Sequence, residues 1–398
     1  MISVEEARKR LLALVAPLPS ETVPLLSANG RVLAQPVLAK IDQPPFDASA
    51  MDGYAIRRAD YVQGKTLICI GAAAAGDPFD GIVNSGEAVR VFTGGTLPTG
   101  ADFVLIQENV TADGDHITIS EDDQVPDYIR KAGQDFSTGT AIPKGTVLTP
   151  ALVSLIASMG VAEIACHRLP EIAIISTGDE LIPPGDALNP GQIYASNGYG
   201  LSALLSQMGA KTRLLPIASD SKEALTQVFE MAISADLIVT SGGASVGDHD
   251  LVMPVAQSMG LAADFHKVRM RPGKPLMAGR FKDGPAFVGL PGNPVSALVC
   301  SQIFLHPMIQ KCIGQVMTAP ELVTARLGKP LAANGPREHY MRGKMQFKDG
   351  ILTAEAFDRQ DSALITVLSE ANCLIRRAPD AEAAEIGQPI EIIFIENI

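Results

Sequence analysis

The sequence predicts a multidomain chain in which an α/β unit is joined to β-rich segments, and three observations predict it. At 398 residues the chain is longer than one ordinary core can enclose, so two to four units are expected. Apolar runs at 172–176, 213–217, 236–240 and 285–289 are separated by stretches of helical periodicity near 198–209, 222–235 and 294–312. That alternation builds a largely parallel sheet. From Pro44 to Pro143, and again after Pro320, short Val- and Ile-containing runs lie between Gly, Pro and Asp turns, the pattern of irregular β structure.

In chain order, Ser3-Val4-Glu5-Glu6 is a capping box, and Val4, Ala7, Leu11, Leu12 and Val15 follow at helical spacing. An amphipathic helix therefore opens the chain, and Pro17, Pro19 and Pro24 end it. The apolar run 151–165 is a second helix candidate. Residues 171–177 read as a buried strand, and the α/β period begins there. Strand-like runs at 351–356 and 390–395 place a small, barrel-like β domain at the C-terminus. The expected division is a helical linking domain from 1–43 and 136–169, a β-rich domain at 44–135, the α/β domain at 170–319 and the C-terminal β domain at 320–398.

Composition narrows the function. A chain that is 46% hydrophobic and 19% charged is globular, and its formal net charge of -12 argues against broad attachment to nucleic acid or anionic membrane. An anionic ligand must then find a local basic site. The N-terminus carries acidic residues where a signal peptide carries basic ones, and the longest apolar stretch is shorter than the ~20 residues of a membrane helix. Five scattered cysteines without a C-x-x-C pair suit a reducing cytoplasm.

Ligands of parallel α/β sheets bind beyond the carboxyl ends of the strands. Two of those ends are chemically loaded: Thr177-Gly178-Asp179-Glu180 after the first strand, and Ser241-Gly242-Gly243-Ala244-Ser245-Val246-Gly247-Asp248-His249-Asp250 after the third. A glycine-rich turn before a helix exposes N–H groups that suit phosphate, with Ser241 and Ser245 as further donors. Carboxylates beside phosphate call for a hard cation, and Asp179, Glu180, Asp248 and Asp250 are candidate Mg²⁺ ligands; as helix caps and a solvated turn they would need no metal. The run His266-Lys267-Val268-Arg269-Met270-Arg271-Pro272-Gly273-Lys274 is an oxyanion candidate, or else the charged guard of an edge strand. Alternation puts Lys267, Arg269 and Arg271 on one side of it. Gly289-Leu290-Pro291-Gly292-Asn293-Pro294 opens a helix through a loop that two prolines stiffen, whether for a ligand or as plain punctuation.

Two other motifs compete. Gly243-Ala244-Ser245-Val246-Gly247 matches the G-x-S-x-G of a hydrolase with Ser245 as nucleophile, but no histidine follows in an evident post-strand loop. Gly198-Tyr199-Gly200-Leu201-Ser202-Ala203 matches G-x-G-x-x-A but follows a polar turn instead of a buried strand.

Taken together, PPFDASAMDGYA at 44–55, FTGGTLPTGAD at 92–102, STGDEL at 176–181, TSGGASVGDHD at 240–250, RPGKP at 271–275 and LPGNPVSA at 290–297 resemble the MoeA and gephyrin E-domain family, in family order over nearly the whole chain. The resemblance implies a transferase that inserts molybdate into adenylated molybdopterin with release of AMP and the help of Mg²⁺. It implies a homodimer whose pterin site lies on the α/β domain and is completed by the other subunit's β-rich domain. Asp52 and Thr93 match functional positions of that β-rich domain, and Asp179, Glu180, Asp220, Asp248 and Asp250 match acidic ones. Lys267, Arg271 and Lys274 correspond to the basic molybdate and phosphate positions, with Arg271 standing where many relatives carry lysine. Thr177, Gly178, Ser241, Gly242, Gly243, Ser245, Pro291, Gly292, Asn293 and Pro294 are the expected pterin-binding residues, joined by Arg342 and Ser362 of the C-terminal domain. A molybdopterin adenylyltransferase upstream and molybdoenzyme maturation proteins downstream are the implied protein partners. The competing readings are a serine hydrolase centred on Ser245 and a pterin-binding scaffold without turnover.

Overall fold

The computed structural model describes residues 1–121, 126–243, 251–316 and 319–395. The chain forms two compact units, Thr22–Ala165 and the remainder, Met1–Glu21 with Cys166–Ile398.

In the Met1–Glu21 and Cys166–Ile398 unit, Ser3 caps helix α1 (Val4–Ala13) by accepting the Glu6 N–H at 3.1 Å. Only half of the capping box forms, because the Glu6 carboxylate pairs with Arg10 Nε at 2.7 Å. Val4, Ala7, Leu11 and Val15 are buried in the larger hydrophobic core, as their spacing predicts.

The Thr22–Ala165 unit is built on a six-stranded mixed sheet. Strand Gly53–Ile56 runs antiparallel between Glu87–Val91 and Phe103–Ile106, while Thr66–Ala73 pairs in parallel with Glu87–Val91. Both faces are covered: Ala55, Val89, Val91 and Val104 belong to one cluster, and Ile56, Ala88, Phe103 and Leu105 to another. Helix α2 (Pro150–Ser158) starts on a Thr149 cap with proline in its first turn. It is shorter than the expected 151–165, because Gly160 turns the chain at φ +79° and Glu163–His167 continues as a strand. Gly160 is the mark of that change of period inside a mostly apolar run.

The α/β sheet of the larger unit has the spatial order Lys211–Leu214, Glu171–Ser176, Leu237–Ser241, Ala286–Leu290, Pro275–Phe281, Leu261–Lys267. The first four strands are parallel, and Pro275–Phe281 pairs antiparallel with both Ala286–Leu290 and Leu261–Lys267. Alternation sorts the side chains: Ile172 and Ile174 join α1, α3 (Ser196–Gln207), α6 (Pro294–Cys300) and α7 (His306–Cys312) on one face, while Ala173 and Ile175 meet α4 (Lys222–Ala232) and α5 (Val252–Ser258) on the other. The expected helix 294–312 is continuous except for a π turn at Ser301–Leu305, where Ser301 Oγ donates to the Ala297 carbonyl at 2.9 Å.

Five strands near the C-terminus close into a barrel: Glu338–Lys348, Ile351–Ala356, Val323–Leu327, Pro389–Phe394 and Cys373–Arg377, which pairs back to Glu338–Lys348. The segment Met270–Arg271 joins this barrel in parallel, setting Arg271 opposite His339. All five cysteines are free. Among the described residues no helix is long and apolar enough to cross a membrane.

Candidate functional site

The chain reverses its direction of travel across the α/β sheet between Glu171–Ser176 and Leu237–Ser241, and the crevice such a reversal leaves lies beyond Ser176 and Ser241. Hydrogen bonding continues past both strand ends, with Thr177 N–H donating to Ser241 O at 3.2 Å and Gly242 N–H to Leu290 O at 3.4 Å. The approach is close enough to require glycine. Gly242 has φ +100°, and a Cβ there would stand 2.6 Å from the Thr177 carbonyl oxygen.

Asn197, in the first turn of α3, ties the loops together: its Nδ2 donates to Ser241 Oγ at 2.9 Å and to Gly292 O at 2.6 Å. The barrel is tied in by Asn293, whose Nδ2 donates to Ser362 Oγ at 2.9 Å, and by Val295 N–H, which donates to Ser362 O at 3.2 Å. A cleft of about 410 Å³ results, lined by Thr177, Glu180, Asn197, Gly242, Asn293 and neighbouring residues. Thr177 is 4% exposed and its hydroxyl has no partner among the described residues. An unsatisfied buried hydroxyl costs about 1–3 kcal/mol, so a ligand atom that bonds it recovers that cost.

A second pocket of about 340 Å³ shares Asn293 with the cleft. Arg271, Lys274 and Arg337 supply its positive charge, with Ser296, Ser362 and Asp361 among its other walls. Val268 N–H donates to Lys274 O at 3.0 Å, closing the basic run into a tight loop, and Gly273 at φ +100° leaves no room for a Cβ, which would meet Cys300 Sγ at 2.3 Å. Pairing of Arg271 with His339 then brings in Arg337 from the barrel's first turn. None of the three cations has an ion-pair partner among the described residues. The alternation holds, since Val268 and Met270 are buried while Lys267, Arg269 and Arg271 are not; of those three only Arg271 lines this pocket, Lys267 ending its strand half-buried.

Behind these cations His339 is 7% exposed, and burial, then Arg271, Arg337, Arg342 and Arg377, push its pKa down to about 4. The imidazole is therefore neutral at ordinary pH. Arg342, 2% exposed, spends its guanidinium on the carbonyls of Asp361 (2.9 Å), Leu364 (3.2 Å) and Arg359 (3.3 Å). It shapes the loop that presents Ser362 and lines neither pocket.

Among the acidic candidates, Asp179 Oδ1 accepts the Asp220 N–H at 2.9 Å, and Glu180 turns its carboxylate toward Gly178, where a Cβ would meet Glu180 Oε2 at 2.4 Å. Ser245, Asp248 and Asp250 lie outside the described residues. Among the described ones, no three His, Cys, Asp or Glu side chains group as a metal site. The carboxylate oxygens of Asp179 and Glu180 are nevertheless the hard donors that Mg²⁺ prefers. In the other unit, Asp52 Oδ1 accepts both Thr93 N–H (2.8 Å) and Thr93 Oγ–H (3.0 Å). Those bonds, the backbone one foremost, hold the Asp52 pKa below the usual carboxylate range.

Arg337 escaped the sequence reading. It stands alone after Gly335-Pro336, more than sixty residues past the basic run, and only the parallel pairing of Met270–Arg271 with the barrel brings the two together.

Comparison with known proteins follows the same segments. The MoeA N-terminal region (domain I and II) matches residues 2–160, a probable molybdopterin binding domain matches 173–311, and the MoeA C-terminal region (domain IV) matches 324–395. The chain is 35% identical to the molybdopterin molybdenumtransferase of Haemophilus influenzae, over 98% of both chains. It is 37% identical to that of Nostoc sp., over 88% of this chain and 84% of the relative. Its fold is similar to the crystal structure of the molybdopterin biosynthesis moea protein from Pyrococcus horikosii, with a TM-score of 0.85 and 28% identity over the whole of both chains.

Proposed function

The chain belongs to the MoeA family, a transferase of molybdenum cofactor biosynthesis, and we propose that it inserts molybdate into adenylated molybdopterin with release of AMP. The observation that carries this reading is the junction at Asn293 of a strand-end cleft with a pocket holding three cations that have no ion-pair partner among the described residues. Glycine-lined strand ends suit the pterin phosphate, and Arg271, Lys274 and Arg337 suit a tetrahedral dianion. Holding two anionic reactants side by side is the main catalytic task, one of position and electrostatics. The dithiolene sulfurs then displace oxygen from molybdenum, which leaves as water with the two thiol protons, and a second water cleaves the phosphoanhydride to free AMP, so that no protein nucleophile is needed.

Asp179 and Glu180, with Asp248 and Asp250 beyond the described residues, are the side chains that would hold Mg²⁺. When bound, the ion would supply positive charge that offsets the negative charge of the substrate phosphate. Asp220 orders Asp179 through its N–H. Lys267 adds to the field around the pocket, Arg342 positions Ser362, and Asp52, held by Thr93, is the functional carboxylate of the smaller unit. The protein acts in the cytoplasm as a homodimer of four-domain subunits divided at 1–43 with 136–169, 44–135, 170–319 and 320–398. It takes substrate from a molybdopterin adenylyltransferase and delivers product to molybdoenzyme maturation proteins.

Titration of molybdate at fixed adenylated molybdopterin tests the assignment. Arg271→Ala and Arg337→Ala should each raise the molybdate KM about tenfold or more, since a charge-assisted contact is worth ~1.5–3 kcal/mol, and leave the pterin KM within about twofold. Lys267→Ala should do less. An unchanged molybdate KM in both arginine variants rejects the pocket as the oxyanion site.

A further inference from the structure

Around Asp52 the smaller unit carries a bracket of side chains that the site described so far does not use. Asp52 immediately precedes strand Gly53–Ile56, and the next residue, Gly53, sits where two strands close in so tightly that a Cβ would stand 2.1 Å from Leu105 O. Arg90 lies directly opposite Tyr54 in the antiparallel pairing. Its guanidinium stacks 4.9 Å from the centroid of the Tyr54 ring and 5.1 Å from that of Phe92. From there Nη1 donates to Gly53 O at 3.3 Å and Nη2 to Gln107 Oε1 at 2.5 Å. Gln107 closes the bracket, because its backbone N–H donates to Asp52 O at 3.2 Å.

Resting on the reading of Asp52 as a functional carboxylate, we infer that Arg90, locked by Gln107, is the positioning residue that aims Asp52. Each of the two consecutive carbonyls, of Asp52 and Gly53, is pinned by one arm of the bracket, and the Arg90–Gln107 bond joins the arms. Thr93, three residues past Arg90, fixes one carboxylate oxygen and leaves Oδ2 with no protein partner among the described residues. Arg90 has no carboxylate ion pair of its own among the described residues, and its charge adds to the Thr93 hydrogen bonds in keeping Asp52 ionised. Lysine cannot replace it in this role, because only a planar fork lies against two rings while reaching two acceptors in different directions.

The test is steady-state insertion by the full-length protein with adenylated molybdopterin and molybdate, on Arg90→Lys, Gln107→Leu, Asp52→Ala and the double variant Asp52→Ala/Arg90→Lys. A misaimed carboxylate should lower kcat about tenfold in Arg90→Lys and Gln107→Leu, with both KM values within about twofold of wild type. In the double variant the Arg90 change should cost nothing beyond Asp52→Ala, since a residue that acts only through Asp52 has nothing left to aim. Wild-type kcat in Arg90→Lys, or a further multiplicative loss in the double variant, overturns the inference. Should Arg90→Lys fail to fold, Gln107→Leu and its double with Asp52→Ala carry the same comparison. Wild-type kcat in Asp52→Ala would instead sink the reading of Asp52 itself, and with it the role of Arg90.

Discussion

His339 shows how much of a site's electrostatics is invisible along the chain. Nothing around it in sequence marks it, yet the fold buries it among four arginines and depresses its pKa from 6.5 to about 4. The sign of the consequence follows from linkage. The unfolded chain takes up a proton below pH 6.5 and the folded one does not, so stability is fully present above 6.5 and drains away as pH falls toward 4. Urea unfolding at pH 7.5 and 5.5 should show wild type losing about 1 kcal/mol more than His339→Leu over that interval. Any packing defect in the variant is independent of pH and cancels in the difference. Equal losses would mean the imidazole is protonated in the fold. Arg342 makes the complementary point: the resemblance singles it out, but only the structure shows that its charge is consumed by loop carbonyls.

At the level of elements, strand positions in the α/β region were legible because buried parallel strands read as short apolar runs between helical ones. The runs at 172–176, 236–240 and 285–289 coincide with strands to within a residue or so, and 213–217 overlaps Lys211–Leu214. What periodicity missed was a change of direction. Leu261–Lys267 and Pro275–Phe281 extend the sheet antiparallel, and they carry the basic loop, which no βαβ pattern places. Glycines in the strand-end loops suit phosphate-binding turns, and the geometry adds a steric reason for them. Gly242 and Gly260 both have strongly positive φ, but a Cβ at Gly260 meets nothing within 4 Å, whereas at Gly242 it meets the Thr177 carbonyl oxygen at 2.6 Å. Gly260→Ala should therefore cost about 1 kcal/mol, and Gly242→Ala about 3 kcal/mol as the strand ends are forced apart. Urea unfolding with pterin-binding titrations checks both. Pterin affinity should survive Gly260→Ala and fall at least tenfold in Gly242→Ala, and equal behaviour of the two would show that the strand ends need not touch.

For the molecule as a whole, the barrel-like domain expected at the C-terminus is present, and the structure adds what closes it, the Glu338–Lys348 to Cys373–Arg377 pairing, which is not a property of any strand by itself. The proposed homodimer is also a property of the assembly, and its active sites admit a genetic test. Asp52 belongs to Thr22–Ala165 and Lys274 to the other unit, and the proposed shared site takes one of them from each subunit. Asp52→Ala and Lys274→Ala subunits should each retain only about 1% of wild-type activity alone. In a mixed dimer with shared sites, one site receives both lesions and the other receives neither. Random assortment makes about half the dimers mixed, so co-expression should restore about a quarter of wild-type activity. If every subunit instead builds its own site, each site retains one lesion and co-expression restores nothing. Differentially tagged subunits, purified through both tags, raise the expected value to about half and separate failed assembly from failed complementation. A doubly tagged dimer that forms and remains inactive would reject the shared site while leaving the oxyanion pocket intact.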